Sequence, residues 1–361
     1  MQQIAPLPVA NKIMNKYLQH PVFSVITKVA SAQQVRAYAI GGFVRDIFLK
    51  RPSKDIDIVV LGNGIQFAEQ VAAQLKVKLA VFKNFGTAML KYKDMEVEFV
   101  GARKESYRAD SRKPIVENGT LEDDQKRRDF TINDLALALH ADEFGELIDP
   151  FNGRGHLEEK LIKTPLNPAE TFSDDPLRMM RAVRFASQLN FRISDDAVEA
   201  IKNNKERIRI VSQERITDEL NKIILSDKPS IGFNYLFDTG LLHLIFPQMT
   251  NLYGVDYIDG KGHKDNFYHT LQVLDNLCET SGDLWLRWAA ILHDIAKPAT
   301  KRFEPGHGWT FHGHEDRGAR MVPKIFAQLK LPLNDRMKFV QKLVQLHLRP
   351  IVLAQDTITD S

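Results

Sequence analysis

The segment GGFVRDIFLKRPSKDIDIVV, residues 41 to 60, places two glycines, an Arg-Asp pair and two aspartates beside an apolar run. Side chains of a strand alternate between its faces, so Asp55 and Asp57 share one face of the predicted strand while Ile56 and Ile58 point into the core. Two neighbouring carboxylates repel each other unless a cation or a shared proton lies between them. The segment therefore predicts a site for Mg²⁺, which prefers oxygen ligands and bridges them to substrate phosphates.

The residues before this strand predict a turn that binds an anion. Gly41 and Gly42 follow the apolar strand AYAI and let the backbone approach a ligand closely. A helix predicted to begin near Phe43 directs its first N–H groups toward the same place, where a phosphate is favoured. Arg45 adds a cation that can bind a phosphate through two hydrogen bonds. A glycine pair or a DxD pattern alone is usually structural, but their succession indicates a site for a phosphate ligand.

Composition limits the class of protein. The chain has 361 residues, 43% hydrophobic and 26% charged, which is typical of two or three soluble domains. It contains no run of 18 apolar residues and no leader-like segment, so we expect a cytoplasmic protein without membrane contact. Cys278 is the single cysteine, which excludes an intramolecular disulfide and a thiolate zinc site. The net charge of +3 fits a nucleic-acid partner without requiring one.

The secondary structure predicted from the sequence changes along the chain. Residues 36 to 150 mix strand-like and helical runs, whereas later segments read as helices between polar turns. We expect an α+β protein with a catalytic head over residues 1–155, a helical neck and body over 156–255, and a histidine-rich helical region over 256–361. Between residues 178 and 215, nine Lys or Arg stand against five Asp or Glu. This excess fits an RNA-binding surface or a solvated helical face equally well.

The motifs together resemble one family. GG-x-V-R-D followed by D-x-D resembles the signature of the DNA-polymerase-β-like nucleotidyltransferases, specifically the bacterial CCA-adding enzymes and poly(A) polymerases. Three further motifs follow in that family's order and approximate spacing, namely RRDFTIN at 127–133, DDPLRMMRAVRFASQL at 174–189 and ERITDEL at 214–220. The resemblance spans roughly residues 35 to 350. It implies a Mg²⁺-dependent enzyme that adds C, C and A to a tRNA 3′ end from CTP and ATP and releases pyrophosphate. Poly(A) polymerase activity is an alternative that the motifs do not separate.

The resemblance assigns roles residue by residue in the head. Asp55 and Asp57 match the metal-binding carboxylates, and Glu98, five residues before an arginine, matches a third acidic position. Glu96 is its exposed neighbour. The triphosphate loop is matched by Gly41, Gly42, Arg45 and Asp46, and contacts to the nucleotide's ribose and phosphates are implied for Arg128, Asp129 and Asn133. Arg127 is expected to be solvated, and Asp134 stands where the family commonly has a small residue.

The helix predicted from SDDPLR, with Ser173 as its N-cap, offers a base-selecting pair. Asp175 and Arg178 are three residues apart and share a face, so they present an acceptor beside a donor. Cytosine and adenine show the complementary amino group and ring nitrogen, and the resemblance implies a protein template for CTP and ATP. The alternative is a helix N-terminal charge alone. Arg181 and Arg184 follow on nearby faces, where they bind triphosphate or RNA, or are solvated.

Four of the histidine-containing segments after residue 256 are HKDNFYHT at 263–270, LHDIAKP at 292–298, FHGHED at 311–316 and LVQLHLRP at 343–350. Imidazoles and a carboxylate on successive helices suit a transition metal or Mg²⁺. The set resembles the HD phosphohydrolase domain, which implies the ligands His269, His293, Asp294, His314 and His347. His263 and His312 match less well, and the domain is expected to be partial because the sequence ends at Ser361. Parts of the sequence also fit a stand-alone HD phosphohydrolase or an inactive RNA-binding protein, and the DxD motif argues against both functions.

Overall fold

The computed structural model describes residues 16–108 and 111–349, and of residues 105–108 and 111–116 only the backbone. The chain divides into two compact units, residues 1–174 and 175–361, which are described separately. The three-domain organisation expected from the sequence stays a prediction.

A mixed sheet of seven strands forms the centre of the first unit. Its strands are β1 (Ala37–Ile40), β2 (Asp55–Val60), β3 (Leu79–Phe82), β4 (Thr87–Tyr92), β5 (Met95–Gly101), β8 (Ala136–Ala138) and β9 (Leu147–Ile148), and a separate hairpin comprises β6 (Arg103–Arg108) and β7 (Ser111–Asn118). The strand order is β3-β4-β5-β2-β1-β8-β9. β2 and β5 are parallel and the other neighbours are antiparallel.

Helices pack against this sheet. The first unit contains α1 (Pro21–Gln33), α2 (Gly42–Phe48), α3 (Gly64–Leu75), α4 (Leu121–Lys126), α5 (Gly153–Glu158) and α6 (Pro168–Asp174), with 3-10 turns at Lys16–Leu18, Lys83–Phe85, Thr131–Asn133 and Ala141–Glu143, and a short strand β10 (Leu161–Ile162). Phe67 of α3 lies 6.0 Å, centroid to centroid, from Phe99 of β5. Ile56 and Ile58 are also buried, which confirms the predicted alternation of β2.

The second unit is almost entirely helical. Its helices are α7 (Leu177–Leu189), α8 (Asp195–Asn204), α9 (Gln213–Ile224), α10 (Pro229–Asp238), α11 (Leu241–Ile245), α12 (Pro247–Thr250), α13 (Asn266–Cys278), α14 (Leu284–Leu292), α15 (Lys297–Thr300), α16 (His314–Gln328) and α17 (Asp335–Leu346). A 3-10 segment spans Lys205–Ile210, and short strands are β11 (Arg192–Ile193), β12 (Tyr257–Ile258), β13 (Lys261–Gly262), β14 (Arg302–Glu304) and β15 (Gly308–Thr310). The expected α+β class is confirmed. Within the described residues, no helix combines the length and apolarity needed to span a membrane.

The predicted helix start at Ser173 is wrong. Ser173 lies inside α6, and α7 begins only at Leu177. Pro176 cannot donate a backbone hydrogen bond and disfavours a helical conformation for the residue before it, so the helix breaks at this point. Oδ1 of Asp175 accepts a hydrogen bond from the Leu177 N–H at 3.2 Å. Asp175 therefore satisfies a donor at the start of α7.

Candidate functional site

The predicted acidic residues of the head share one face of the sheet. On the parallel strands β2 and β5, Asp57 is the register partner of Glu98, and Asp55 is the partner of Glu96. Asp55, Glu96 and Glu98 are exposed, whereas Asp57 is half-buried. This face therefore presents a row of carboxylates opposite the packed isoleucines of β2.

Electrostatics at this face favour a bound cation. The pKa of Asp57 is raised above its usual range. Burial is the largest cause, the charge of Arg128 opposes it, and the nearby carboxylates of Glu98 and Asp55 add to it. Such mutual repulsion is relieved when a divalent cation binds between the carboxylates. In the described residues, clusters of three His, Asp or Glu ligand atoms within 4.8 Å of one another occur only in the second unit. The acidic face of the first unit offers fewer protein ligand atoms at this spacing. It nevertheless fits Mg²⁺, because this ion commonly uses only one or two carboxylates together with waters and substrate phosphates.

The turn after β1 touches this face and requires glycine. Gly41 has φ of +83°, and a Cβ there would lie 3.1 Å from Oδ2 of Asp57 and 3.5 Å from Nη1 of Arg128. A side chain would therefore be strained by the backbone conformation and crowded by two predicted site residues. The structure brings Gly41, Asp57 and Arg128 together, as the motif order suggested.

A hydrogen-bonded chain links the glycine turn to the RRDFTIN motif. Arg45 donates through Nε to Oδ1 of Asp46 at 2.9 Å and through Nη1 to Oδ1 of Asn133 at 2.8 Å. Nδ2 of Asn133 in turn donates to Oδ1 of Asp129 at 3.1 Å. Four predicted site residues are thus adjacent in space. The guanidinium of Arg45 is held in one orientation by these two acceptors.

Asp124 is a functional candidate that the motif comparison missed. It is completely buried, and its Oδ2 accepts from Nε and Nη2 of Arg128 at 3.2 and 3.0 Å. Its Oδ1 accepts from Nε of Arg127 at 3.0 Å, so the expectation of a solvated Arg127 is wrong. The sequence signal for this pairing is spacing, because an aspartate three and four residues before two arginines lies on their side of a helical turn.

Asp134, the departure from the family pattern, is a buried carboxyl. It is 0% exposed, and neither carboxylate oxygen has a hydrogen-bond partner among the described residues. Burial raises the pKa of Asp134 well above its usual range, Arg128 opposes this, and the carboxylates of Asp129 and Asp124 add to it. The protonated form is therefore favoured.

In the second unit, the predicted base-selecting pair lies at the beginning of α7. Asp175 and Arg178 are both half-buried, and the Arg178 N–H donates to the Asp175 carbonyl at 3.0 Å. The guanidinium of Arg181 lies 5.6 Å from the centroid of the Phe185 ring. The roles of these three residues in substrate binding stay predictions.

Arg184 is part of a buried ion pair. Its Nε donates to Oε2 of Glu219 at 2.5 Å, its Nη1 donates to Gln188 at 3.0 Å, and its guanidinium lies 4.0 Å from the centroid of the Phe185 ring. With 9% of Arg184 exposed, the solvated-face alternative is wrong for this residue. Its proposed contact with triphosphate or RNA stays a prediction.

Four of the predicted histidine-region ligands converge around the buried carboxylate of the fifth. Asp294 is 2% exposed. Its Oδ2 lies 3.1 Å from Nε2 of His293 and 3.8 Å from Nε2 of His269, and its Oδ1 lies 3.2 Å from Nε2 of His314 and 3.7 Å from Nε2 of His347. His263 and His312, which matched the motif less well, lie outside both ligand clusters.

Backbone carbonyls orient three of these imidazoles. Nδ1 of His293, His314 and His347 lies 2.7 Å from the carbonyls of Ala290, Phe311 and Val344 respectively. A proton on each Nδ1 leaves the Nε2 lone pair directed at the centre of the cluster, which is the usual outer-shell arrangement of metal-binding histidines. Nε2 of His314 and Nε2 of His347 are 3.2 Å apart, a geometry in which two lone pairs favour a shared cation. The donor set therefore fits a metal ion.

Lys297 and an adjacent cavity complete this cluster. Nζ of Lys297 lies 2.7 Å from Oδ2 of Asp294. Burial raises the pKa of Asp294, but the interactions with the His293 and His314 imidazoles and the charge of Lys297 outweigh burial and hold this pKa well below its usual range. A cavity of about 480 Å³ opens beside the cluster, and its other lining side chains are mostly apolar.

Comparisons with known proteins show which protein families this chain resembles. Family models match residues 37–163 as "Poly A polymerase head domain", residues 190–253 as "Probable RNA and SrmB- binding site of polymerase A" and residues 266–360 as "HD domain". A solved CCA-adding enzyme in complex with ATP is 25% identical, with a TM-score of 0.67 over 96% of this chain and 76% of that chain. A tRNA nucleotidyltransferase solved with a primer tRNA and an ATP analogue is 24% identical, with a TM-score of 0.65 over 92% of this chain and 87% of the other, and shows the same fold.

Two curated relatives are similar to this chain, and the second is similar over enough of its length to establish the family. The A-adding tRNA nucleotidyltransferase of Geobacter sulfurreducens is 36% identical over 66% of this chain, which spans only 27% of that longer protein. The multifunctional CCA protein of Pseudomonas fluorescens is 34% identical over 311 residues, which are 82% of this chain and 71% of that protein. The chain belongs to the tRNA nucleotidyltransferase and poly(A) polymerase family.

Proposed function

We propose that this protein is a template-independent nucleotidyltransferase that adds C, C and A to tRNA 3′ ends from CTP and ATP and releases pyrophosphate. The observation that supports this most directly is the convergence of Gly41, Asp57 and Arg128 on the face that also presents Glu98. A polyphosphate turn, a carboxylate row and an oriented cation are the parts that phosphoryl transfer requires.

Each part has a role in the proposed reaction. Asp55 and Asp57, with Glu98 beside them, would hold divalent metal ions, for which Mg²⁺ is the proposed species. When bound, Mg²⁺ supplies charge neutralisation of the triphosphate and activation of the RNA 3′-hydroxyl. Arg45, held by Asp46 and Asn133, and Arg128, held by Asp124, are pre-oriented cations for the triphosphate and ribose. The Gly41–Gly42 turn lets backbone N–H groups reach the phosphates.

Base selection is assigned to Asp175 and Arg178. An acceptor beside a donor at the start of α7 complements the amino group and ring nitrogen shared by cytosine and adenine. Uracil and guanine would leave these partners unpaired. A hydrogen-bonding site rejects a wrong substrate because leaving buried polar groups unpaired costs binding free energy. Arg181 and Arg184 are proposed to support the triphosphate or the RNA backbone. Since its proposed substrates are tRNA and nucleoside triphosphates, we expect the protein to act in the cytoplasm.

One experiment separates the possible products. Purified protein is incubated with Mg²⁺, single nucleoside triphosphates, and each of three RNAs: a tRNA lacking CCA, a tRNA ending in CC, and an unstructured RNA. CTP addition to the first and a single A added to the second support CCA addition. Addition of A alone to tRNA ending in CC would indicate an A-adding enzyme, the activity named for the Geobacter sulfurreducens relative. Long A tails on the unstructured RNA would indicate a poly(A) polymerase.

The geometry of the histidine cluster favours a second activity, metal-dependent phosphohydrolysis. His269, His293, Asp294, His314 and His347 would hold a divalent or transition metal, which would supply a Lewis acid and an activated water. Lys297 adds a cation for a phosphate oxygen. Release of phosphate from 2′-phosphates or opening of cyclic phosphates, without any nucleoside triphosphate present, tests this activity. Failure with Mg²⁺, Mn²⁺, Ni²⁺ and Co²⁺ would contradict it.

A further inference from the structure

The hairpin of β3 and β4 with its flanking residues, 76–93, has an unusual charge. It contains the five lysines Lys76, Lys78, Lys83, Lys91 and Lys93, and the sequence has no aspartate or glutamate from residue 70 to residue 93. All five lysines are exposed. Lys91 lies 3.4 Å from Glu96 of the neighbouring strand β5, and the segment itself supplies no acidic residue to compete for phosphates that approach the other lysines.

The same hairpin exposes apolar and aromatic side chains. Phe85 is 71% exposed and Phe82 is 43% exposed, and Val81 and Met89 are each 37% exposed. Large apolar side chains exposed as a group usually mark a binding surface. Aromatic side chains interleaved with lysines are typical of surfaces that bind single-stranded nucleic acid, because bases stack on the rings while the cations follow the backbone.

The strand register places part of this group on the carboxylate face. Met89 of β4 is the register partner of Glu98, which is itself the partner of Asp57. Phe82 of β3 is paired with Thr87 of β4, two positions from Met89 on the same strand and therefore on the same face. The apolar side chains of Met89 and Phe82 thus extend the proposed catalytic face toward the edge of the sheet.

Phe85 also borders a cleft. The cleft has a volume of about 390 Å³, and its lining includes Arg103, Asn118 and the Gly62–Gly64 turn. Nη1 of Arg103 lies 3.5 Å from the Phe85 carbonyl. An aromatic ring, a guanidinium and amide side chains around a cleft of this size are groups that contact a nucleobase by stacking and hydrogen bonding.

We infer that the surface formed by residues 76–93 binds the unpaired 3′-terminal nucleotides of the RNA substrate, with Phe82 and Phe85 stacking on bases and Lys78 and Lys83 contacting phosphates. This inference rests on the proposed function, because the 3′-terminal nucleotides carry the hydroxyl to which that reaction adds the next nucleotide. A second copy of the chain is a poorer occupant, because a symmetric contact would bring the lysines of both copies together and lysines disfavour edge-to-edge strand pairing.

Binding of a tRNA lacking CCA and of a short single-stranded RNA tests the inference. Anisotropy titrations at several salt concentrations compare two double variants with the wild type. The aromatic variant carries both Phe82→Ala and Phe85→Ala, and the lysine variant carries both Lys78→Gln and Lys83→Gln. Phe339→Ala and Lys160→Gln are controls, since both residues are exposed and lie outside the hairpin. The aromatic variant should bind about 5- to 150-fold more weakly for each base that loses its stacking partner. The lysine variant should lower the salt slope by about 1.4, or about 0.7 for each contact with single-stranded RNA.

A 2-aminopurine at the RNA 3′ end gives a readout that a general loss of stability does not reproduce. Its fluorescence should be quenched by wild-type protein and by both controls, and recover with the aromatic variant. Both double variants binding like the controls, with quenching retained, would overturn the inference. So would a wild-type dimer that Phe82→Lys dissociates in sedimentation experiments, because the surface would then be an interface between copies.

Nucleotide addition by the wild type is measured in parallel and separates failure of the hairpin surface from failure of the proposed function. Addition by the wild type together with unchanged RNA binding by the variants refutes the hairpin surface only. No addition to any RNA by the wild type refutes the proposed function itself, and with it the role of the hairpin as a primer site.

Discussion

Arg45 and Asn133 are 88 positions apart in sequence, yet Nη1 of the arginine donates to Oδ1 of the asparagine at 2.8 Å. The bond joins the glycine turn after β1 to the 3-10 turn Thr131–Asn133. Asn133 also donates to Asp129, so a single amide orients both a cation and a carboxylate of the proposed nucleotide site.

We expect Asn133→Ala to lower kcat/KM for CTP and ATP by about 5- to 150-fold, since loss of the single amide that orients both Arg45 and Asp129 costs about 1–3 kcal/mol in total. Steady-state kinetics at saturating tRNA measure this loss. Asn203→Ala, at an exposed position on α8, is the matched control. Equal kinetics for the two variants would show that the amide has no part in nucleotide binding.

The carboxylate row predicts different results for two neighbouring glutamates. Asp57→Ala and Glu98→Gln should abolish or strongly reduce nucleotide addition while tRNA binding persists, because metal binding and RNA binding use different residues. Glu96→Gln should keep most activity, because Glu96 lies beside Asp55 at the exposed end of the row. Oε1 of Glu96 is also 3.4 Å from Nζ of Lys91, so its charge is already paired. Single-turnover addition measures each variant. Activity of Asp57→Ala near that of the wild type would eliminate the metal assignment.

The base-selecting role of Asp175 predicts a change in specificity. Asp175→Ala should impair the use of both CTP and ATP and reduce the CTP-to-UTP incorporation ratio by about 5- to 150-fold, because the site no longer leaves a buried partner unpaired with the wrong base, a penalty of about 1–3 kcal/mol. Its side chain also accepts from the Leu177 N–H. Asp175→Asn, which keeps a carbonyl acceptor for that bond, separates stability from selectivity. An unchanged ratio in a folded Asp175→Ala variant leaves only the helix-end role.

Asp134 predicts a stability that depends on pH. Its pKa in the folded protein is raised above the ordinary 3.8, so the folded state binds this proton more tightly than the unfolded chain does. Its contribution to stability is complete below about pH 3.8 and is lost as the pH rises through the raised pKa. We therefore expect the difference in Tm between Asp134→Asn and the wild type to shift in favour of the variant as the pH rises above about 3.8. Thermal unfolding measures this gain, with the exposed Asp142→Asn as control; a difference that is constant with pH would contradict it.

The histidine cluster predicts a loss of metal that spares nucleotide transfer. His293→Ala or Asp294→Ala should reduce the transition metal bound per molecule, because each removes a ligand from the convergent set. His312→Ala, whose side chain is 84% exposed, should keep the metal content of the wild type. Metal analysis after dialysis decides the matter, with nucleotide addition measured in the same samples. Equal metal content in all three variants would make the cluster structural.

Several features were predictable because their determinants are local in sequence. The alternation of β2, the strand and glycine turn before it, and the helices of the second half follow from periodicity and turn chemistry. Motif order identified the family, which the relatives establish. The start of α7 was predicted wrongly from local sequence. The capping pattern predicts a helix that begins after Ser173, but the restriction that Pro176 imposes on the backbone of Asp175 makes α7 begin at Leu177.

The sequence by itself determined the class of fold, the family, and the residue types present at each candidate site. Only the tertiary structure decided which side chains meet. Asp124 acquires its importance because burial removes water as a competing partner for its two arginines, and Arg184 is fixed by Glu219, which lies on another helix. Burial and long-range pairing depend on how distant segments pack, and a linear pattern of residues does not contain that information. The same reason applies to Met89 and Phe82, whose place on the carboxylate face follows from the register of strands rather than from any motif.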